Sequence, residues 1–448
     1  MSRPDARPTP GDAAPVRRRP PHDPPGDDLG DARADERVGA GADPTNATTA
    51  TTATTEGSTT WRRAVGVGLV AYAVSRLCVL SGAAVRAMQV TVDRREDGEV
   101  AQGAVEIMTG VFTQWDGAWY LELARRGYPE SVPADITFNQ LEARAAFFPL
   151  FPSAVRVVDA VLPGGDTMAA LGLNLVLGAV SVVLVGLLAA RVFDDAVAAR
   201  AMVLYAVFPG SFVLSFAYSE ALFVVLAAAC LLFLLDERWL LAGLAAALAT
   251  ATRPNGVAIA VACLVAAIVA IRRRRDWSSL VAVALAPLGF VLFQLDVDRI
   301  AGERGIWFRV QTEAWSEGTS YGMTAIGNSV GFLTSPFDSP ADALTVLSLV
   351  ALAIMVVAAV RRPLPWPWVA FSAVVVVLML LPETVTARPR FVFTAFPLFI
   401  AVAAWWPRPR VGTDGVGWAR TSWDLVLVMC GAGLVVLTSA YAVFAAIP

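Results

Sequence analysis

Residues 171–190 read LGLNLVLGAVSVVLVGLLAA, a run without one charged side chain. At about 1.5 Å of rise per residue, such a helix is about 30 Å long, the thickness of a bilayer's hydrocarbon core. Comparable apolar runs lie at 64–87, 167–190, 199–217, 221–235, 240–251, 257–271, 279–295, 343–360, 366–381, 391–406 and 423–446. Several are short for a span of roughly 17–25 residues, and the pattern predicts about eleven transmembrane helices. Composition agrees: 56% of the 448 residues are hydrophobic and 16% charged, with a mean hydropathy of +0.59. The fold class is therefore all-α and polytopic, because a helix satisfies its own backbone in lipid.

Residues 1–60 are rich in Pro, Asp, Arg, Thr and Ala and are expected to be a disordered cytoplasmic tail. Residues 61–448 form the membrane domain. The apolar run begins only after Trp61, so the tail does not read as a secretory signal. All 35 basic residues are arginine, which points to a GC-rich, actinobacterium-like source. Arg272–Arg275, Arg361, Arg362, Arg408, Arg410 and Arg420 orient the spans with these ends in the cytoplasm. The N-terminus is then inside, the C-terminus outside, and residues 89–166 form a large first extracytoplasmic loop. Within that loop, 147–162 fits an interfacial or re-entrant helix.

The sole histidine, His22, lies in the tail, which removes any histidine base or histidine-held zinc from the membrane domain. The net charge is only -3, without a basic domain, so nucleic acid is not a partner. Cys78, Cys230, Cys263 and Cys430 sit singly in apolar runs and read as buried thiols. Carboxylates, tyrosines and arginines are left to do the chemistry. They gather at the outer ends of the spans, in WDGAWY (115–120), AYSE (217–220), TRPNG (252–256), WFRVQTEAW (307–315) and ETVTARPRF (383–391).

Asp116, between Trp115 and Trp119, reads either as a working carboxylate or as a cap on a helix starting at Gly117 within an interfacial aromatic belt. Glu122 is best placed to pair with Arg125 or Arg126. Tyr218 and Glu220 stand at a tight turn beside hydrocarbon, where an ionisable group is a functional candidate and a helix-dipole partner alike. Arg253, Arg388 and Arg390 suit a lipid phosphate or headgroup snorkelling. Arg76, inside the first span, reads as the partner of another buried polar group. FFPLFP (147–152) is either a helix entry broken by its prolines or a groove for an isoprenoid chain.

Six of these pieces, WDGAWYLELARRGYP, FFPLFP, YSEALF, TRPNG, the Gln311 and Trp315 pair, and RPRFVFTAFPLF, occur in the order found in the PIG-V family. The chain resembles these GPI mannosyltransferase 2-like integral membrane enzymes of the GT-C glycosyltransferase superfamily over Arg76 to about Phe399; the tail and the last span are unmatched. The resemblance implies a polyprenyl-phosphate mannose donor and transfer to a lipid-linked or cell-wall acceptor outside the cytoplasm. It implies Asp116 as general base, with Trp115, Trp119, Tyr120, Tyr218, Glu220, Arg253, Asn255, Gln311, Trp315, Arg388 and Arg390 binding substrate. One base suffices for an inverting displacement, since the phosphate leaves already charged. No organic cofactor or clean metal-ligand cluster is implied, and assistance by a divalent ion is left open. The rivals are a GT-C enzyme using another polyprenyl-phosphate sugar and a lipid-linked sugar flippase. The second predicts repeats and mid-membrane polar residues that the sequence does not carry.

Overall fold

The computed structural model describes residues 44–96, 103–336, 338–407 and 418–441, with side chains from residue 60 onward except that of Trp418. Contacts divide the chain into Met1–Ala53 and Thr54–Pro448, and the second unit is the membrane domain. The tail expected to be disordered lies mostly outside the described residues, as does His22; its end, from Pro44, is already the start of helix α1 (Pro44–Glu96). Past α1 come α2 (Ala104–Thr113), α3 (Asp116–Arg126), a 3-10 turn (Leu141–Ala146) and α4 (Leu150–Asp159). Then follow α5 (Gly165–Val192), α6 (Asp195–Val207), a 3-10 segment (Pro209–Ser215), α7 (Glu220–Leu235), α8 (Trp239–Thr250) and α9 (Gly256–Arg274). The remainder is α10 (Leu280–Leu285), α11 (Leu288–Ala301), α12 (Ile306–Glu313), α13 (Met323–Thr334), α14 (Pro340–Arg361), α15 (Trp366–Leu380), α16 (Pro389–Thr394), α17 (Pro397–Trp405) and α18 (Trp418–Tyr441). The described residues form no strand beyond one isolated bridge, Thr319 to Pro382.

The chain is thus an all-α, multi-pass membrane protein. Six helical stretches among the described residues are long and apolar enough to cross a bilayer, and seven if α6 and the 3-10 segment, bent by 75°, make one span. The expected eleven included α7, α8 and α15, which are apolar but hold only 16, 12 and 15 residues. The run at 391–406 is split into α16 and α17 ahead of Pro397, which cannot continue the hydrogen-bond ladder of the preceding turn. Large side chains such as Val70, Leu77, Leu347, Val360, Val428 and Met429 stay exposed, as lipid-facing positions do. Inside, α7, α8 and α9 meet through buried Ala227, Ala228, Ala242, Ala246, Ala262 and Ala266, small enough for close helix approach.

The FFPLFP stretch follows the 3-10 turn Leu141–Ala146 and leads through Phe147, Phe148 and Pro149 into α4. Pro149 stands just before the first turn and Pro152 within it, where a missing N–H costs no ladder bond. Phe151, Pro152 and Val155 are buried while the opposite side is exposed, an amphipathic helix too short to span.

Two contacts fix the broken α6 span. Arg76 on α1, 6% exposed, donates to the Ser211 carbonyl (2.8 Å), to Ser211 Oγ (2.9 Å) and to Ser215 Oγ (2.8 Å). Its guanidinium also lies 4.9 Å from the centre of the Tyr72 ring. That is the structural role its position in the first span suggests. Gly210 then lets the same segment touch α16: a Cβ there would sit 2.1 Å from the Pro389 carbonyl oxygen. Gly210→Ala must push α16 away and is expected to cost about 1–3 kcal/mol by overpacking. A detergent-solubilised thermal unfolding curve checks this, and an unchanged midpoint refutes the close contact.

Candidate active site

Asp116 opens α3, and its N-cap is Trp115, not Asp116 itself. The carboxylate therefore does not cap the helix; its Oδ2 accepts from Arg390 Nη1 at 2.9 Å. The pair is lopsided: the Asp116 side chain is 26% exposed and that of Arg390 only 9%. Oδ1 of Asp116 has no protein partner among the described residues. Trp115 is held at φ 57°, ψ −122°, a region costly for a side chain with a Cβ, of order 1–3 kcal/mol. Its indole N–H donates to the Tyr441 carbonyl at 2.9 Å.

The segment before α7 is stapled to this turn. Ala217 N–H donates to the Phe112 carbonyl (2.9 Å), and Tyr218 Oη donates to the Gln114 carbonyl (3.2 Å). Tyr218 Oη also lies 2.6 Å from Tyr441 Oη, which accepts from Arg390 Nη1 at 3.2 Å. Beneath, the fully buried Asn174 of α5 donates to the carbonyls of Phe216 (2.5 Å) and Tyr218 (2.7 Å). Burial raises the phenols of Tyr120 and Tyr218 above the usual tyrosine range, so both keep their protons at neutral pH.

A second ion pair backs the first. Glu220, in the first turn of α7, meets Arg253 Nη1 at 2.5 Å with side-chain exposures of 1% and 11%. Glu220 thus combines the dipole position with a true charge partner. Ser219 Oγ joins this pair to α3, lying 2.7 Å from Tyr120 Oη and accepting from Arg253 at 3.3 Å.

Of the residues expected in the site, Asp116, Trp115, Tyr218 and Arg390 share a network through Tyr441, and Tyr120, Glu220 and Arg253 gather next to it around Ser219. Arg388 turns elsewhere, donating to Thr345 Oγ1 at 2.7 Å and the Ala341 carbonyl at 3.2 Å on α14. Buried at 3% exposure, it forms no ion pair among the described residues and leaves its Nε unpartnered. Trp119 and Trp315 join Phe147 in an aromatic cluster: Trp119 stacks on Phe147 at 6.1 Å, and Trp315 lies edge-on to both at 5.7 Å. Gln311 reaches the Ala146 carbonyl at 3.5 Å, the outer limit of a hydrogen bond, beside Trp307, which binds it at 3.0 Å. Asn255 lies in the turn before α9, and its side chain makes no hydrogen bond among the described residues. Glu122 is bridged to Arg126 and Arg125 to Asp166, as helical spacing suggests for the first. A groove of about 300 Å³ follows α3, lined in part by Thr113, Trp119, Glu122, Arg125 and Thr167. Among the described residues, no three His, Cys, Asp or Glu side chains gather as metal ligands would.

Sequence reasoning missed Asn174 and Tyr441. The signal for Asn174 was a lone amide inside an apolar span, since an unpaired amide is costly in hydrocarbon. Tyr441 carried no such signal, as tyrosine is ordinary at the end of a span.

Residues 149–295 match the family model described as dolichyl-phosphate-mannose-protein mannosyltransferase. No curated protein matches the chain. Among solved structures it is similar to ArnT from Cupriavidus metallidurans in the apo state, at 14% identity and a TM-score of 0.45 over 74% of this chain and 70% of that one. The same protein bound to undecaprenyl phosphate gives 14% identity and a TM-score of 0.43 over 72% and 69%. The apo oligosaccharyltransferase of Archaeoglobus fulgidus gives 14% and 0.39 over 83% of this chain, which spans 56% of that protein.

Breaking the buried Glu220–Arg253 pair on one side strands a charge. Glu220→Gln is expected to destabilise the protein by about 3–5 kcal/mol, and Glu220→Gln with Arg253→Met to recover most of that loss. Thermal unfolding of both variants is the check; equal losses would mean that the pair does not act as a unit.

Proposed function

We propose that this protein is a membrane glycosyltransferase of the GT-C type. It transfers mannose from a polyprenyl phosphate to an extracytoplasmic, lipid-linked or cell-wall acceptor. The observation that carries this reading is the Asp116–Arg390 contact, a partly open carboxylate set at 2.9 Å against a buried guanidinium. The match of residues 149–295 to a family described as dolichyl-phosphate-mannose-protein mannosyltransferase supports the donor class, polyprenyl-phosphate mannose.

Asp116 serves as the general base. Its unpartnered Oδ1 takes the acceptor hydroxyl's proton while that oxygen attacks the anomeric carbon and the bond from sugar to phosphate oxygen breaks, with inversion. Tyrosines that keep their protons leave Asp116 as the carboxylate suited to the task. Arg388 supplies a buried positive charge with no ion pair among the described residues, and a lipid phosphate offsets the cost of burying it. Arg390 lies between the two functions and stabilises charge as the phosphate departs.

Helix polarity supports an extracytoplasmic site. α9 starts just after Arg253 and ends in Arg272, Arg273 and Arg274, and α14 starts at the Arg388 contact and ends in Arg361. The arginine-rich ends are therefore the ones away from the network, as the positive-inside rule requires of an outward-facing site.

With labelled polyprenyl-phosphate mannose and membranes holding the protein, Asp116→Asn is expected to lower transfer by about 10²–10⁴-fold. Transfer equal to wild type would remove Asp116 from this role. Arg388→Gln is expected to raise the donor KM about tenfold with a smaller change in kcat, because it removes ground-state binding. An unchanged donor KM would take Arg388 out of the phosphate site.

A further inference from the structure

The hydroxyl of Tyr441 sits in a chain of hydrogen bonds whose direction is set by chemistry alone. A guanidinium only donates, so Tyr441 Oη accepts from Arg390 Nη1 at 3.2 Å. A carbonyl only accepts, so the single proton of Tyr218 goes to Gln114 O at 3.2 Å. Between the two phenols, 2.6 Å apart, Tyr441 must then be the donor. The chain runs from Arg390 through Tyr441 and Tyr218 to Gln114, two residues before Asp116, and Asp116 closes it by accepting from Arg390 at 2.9 Å. This circuit begins and ends on the turn that carries the carboxylate.

The main chain of the same residue makes a second tie. The Tyr441 carbonyl accepts from the indole of Trp115 at 2.9 Å, and Trp115 is the residue held at φ 57° directly ahead of Asp116. The ring itself is fully buried, 4.9 Å from Phe212 and 5.2 Å from Phe216 between centroids. Tyr441 also lies beyond the matched residues 149–295 and beyond the motifs shared with the PIG-V family.

We infer that Tyr441 is a positioning residue, whose hydroxyl holds Arg390 at a fixed distance from Asp116 and so makes the last helix part of the working site. This rests on Asp116 being the base. A hydroxyl removed from the middle of the circuit leaves Arg390 Nη1 free to shift along the carboxylate, while the packing of the ring and the carbonyl tie to Trp115 survive.

The test uses the full-length protein with labelled polyprenyl-phosphate mannose as the probe, comparing wild type, Tyr441→Phe, Tyr218→Phe and the double variant. For Tyr441→Phe, kcat is expected to fall about tenfold while the donor KM stays within about twofold. The thermal midpoint is expected to stay within about 3 °C of wild type. Because both phenols lie on one chain, the double variant should lose about as much as either single one, not the product of the two losses. A wild-type kcat for Tyr441→Phe, a rise in KM alone, a rate loss matched by lost folded protein, or multiplicative losses would each overturn the inference. Asp116→Asn, assayed alongside, separates the two readings. If that variant keeps full transfer, the base assignment fails; if it is inactive and Tyr441→Phe is not impaired, only the role of Tyr441 fails.

Discussion

The ion pair between Asp116 and Arg390 joins two positions 274 residues apart and ties α3 to α16. Removing a guanidinium from water costs several kcal/mol even after relaxation, so a buried Arg390 needs partners to offset that cost; its Nη1 has two, while its Nε has none among the described residues. Asp116, Tyr441 and the rings of Tyr218 and Phe391, 5.9 and 4.8 Å from its guanidinium carbon, share that task. Each belongs to a different element. Consequently α3, the segment before α7, α16 and α18 must all meet at one point for the pair to exist.

The frame that brings them there is built from contacts too close or too polar to slide. Arg76 grips the 3-10 half of the broken α6 span through serine oxygens and not through a carboxylate, so a charged group is held by neutral dipoles. Gly210, in the same half, admits the Pro389 carbonyl one residue before Arg390. Gly289 makes a similar allowance on the other side of the bundle, where a Cβ would fall 1.8 Å from the Ala247 carbonyl oxygen. Without a hydrophobic driving force between helices in lipid, such close backbone approaches carry much of the cohesion.

The membrane class was legible because long uncharged runs leave little alternative, and several of the polar residues that gather near Asp116 were legible because charged residues are scarce among the apolar spans and each stands out. What could not be read was pairing. Nothing in the motif containing Arg388 and Arg390 says that the second meets Asp116 while the first turns to Thr345; two residues apart at a helix entry, they diverge because the chain is extended at Arg388 and helical from Pro389. Span counting meets a related limit: α8 is as apolar as a span but holds only 12 residues, so hydropathy alone does not separate a crossing helix from a short buried one. Trp119, Gln311 and Trp315 were grouped with Asp116 by motif order. The two rings pack against Phe147 and the amide reaches the Ala146 carbonyl, local contacts that motif order does not reveal.

On the proposed glycosyl-transfer reading, the unequal exposure of the pair has a physical logic. Were Asp116 as buried as Arg390, no acceptor hydroxyl could reach it, and the unpartnered Oδ1 would itself be a cost. Were Arg390 as open as Asp116, water and salt would screen the guanidinium and it would no longer hold a departing phosphate strongly. Setting the carboxylate at the surface end of α3 and the cation one layer deeper satisfies both demands. The pair lies at helix ends away from the arginine runs, the place where the proposed reading needs an acceptor held in water to meet a donor held in lipid.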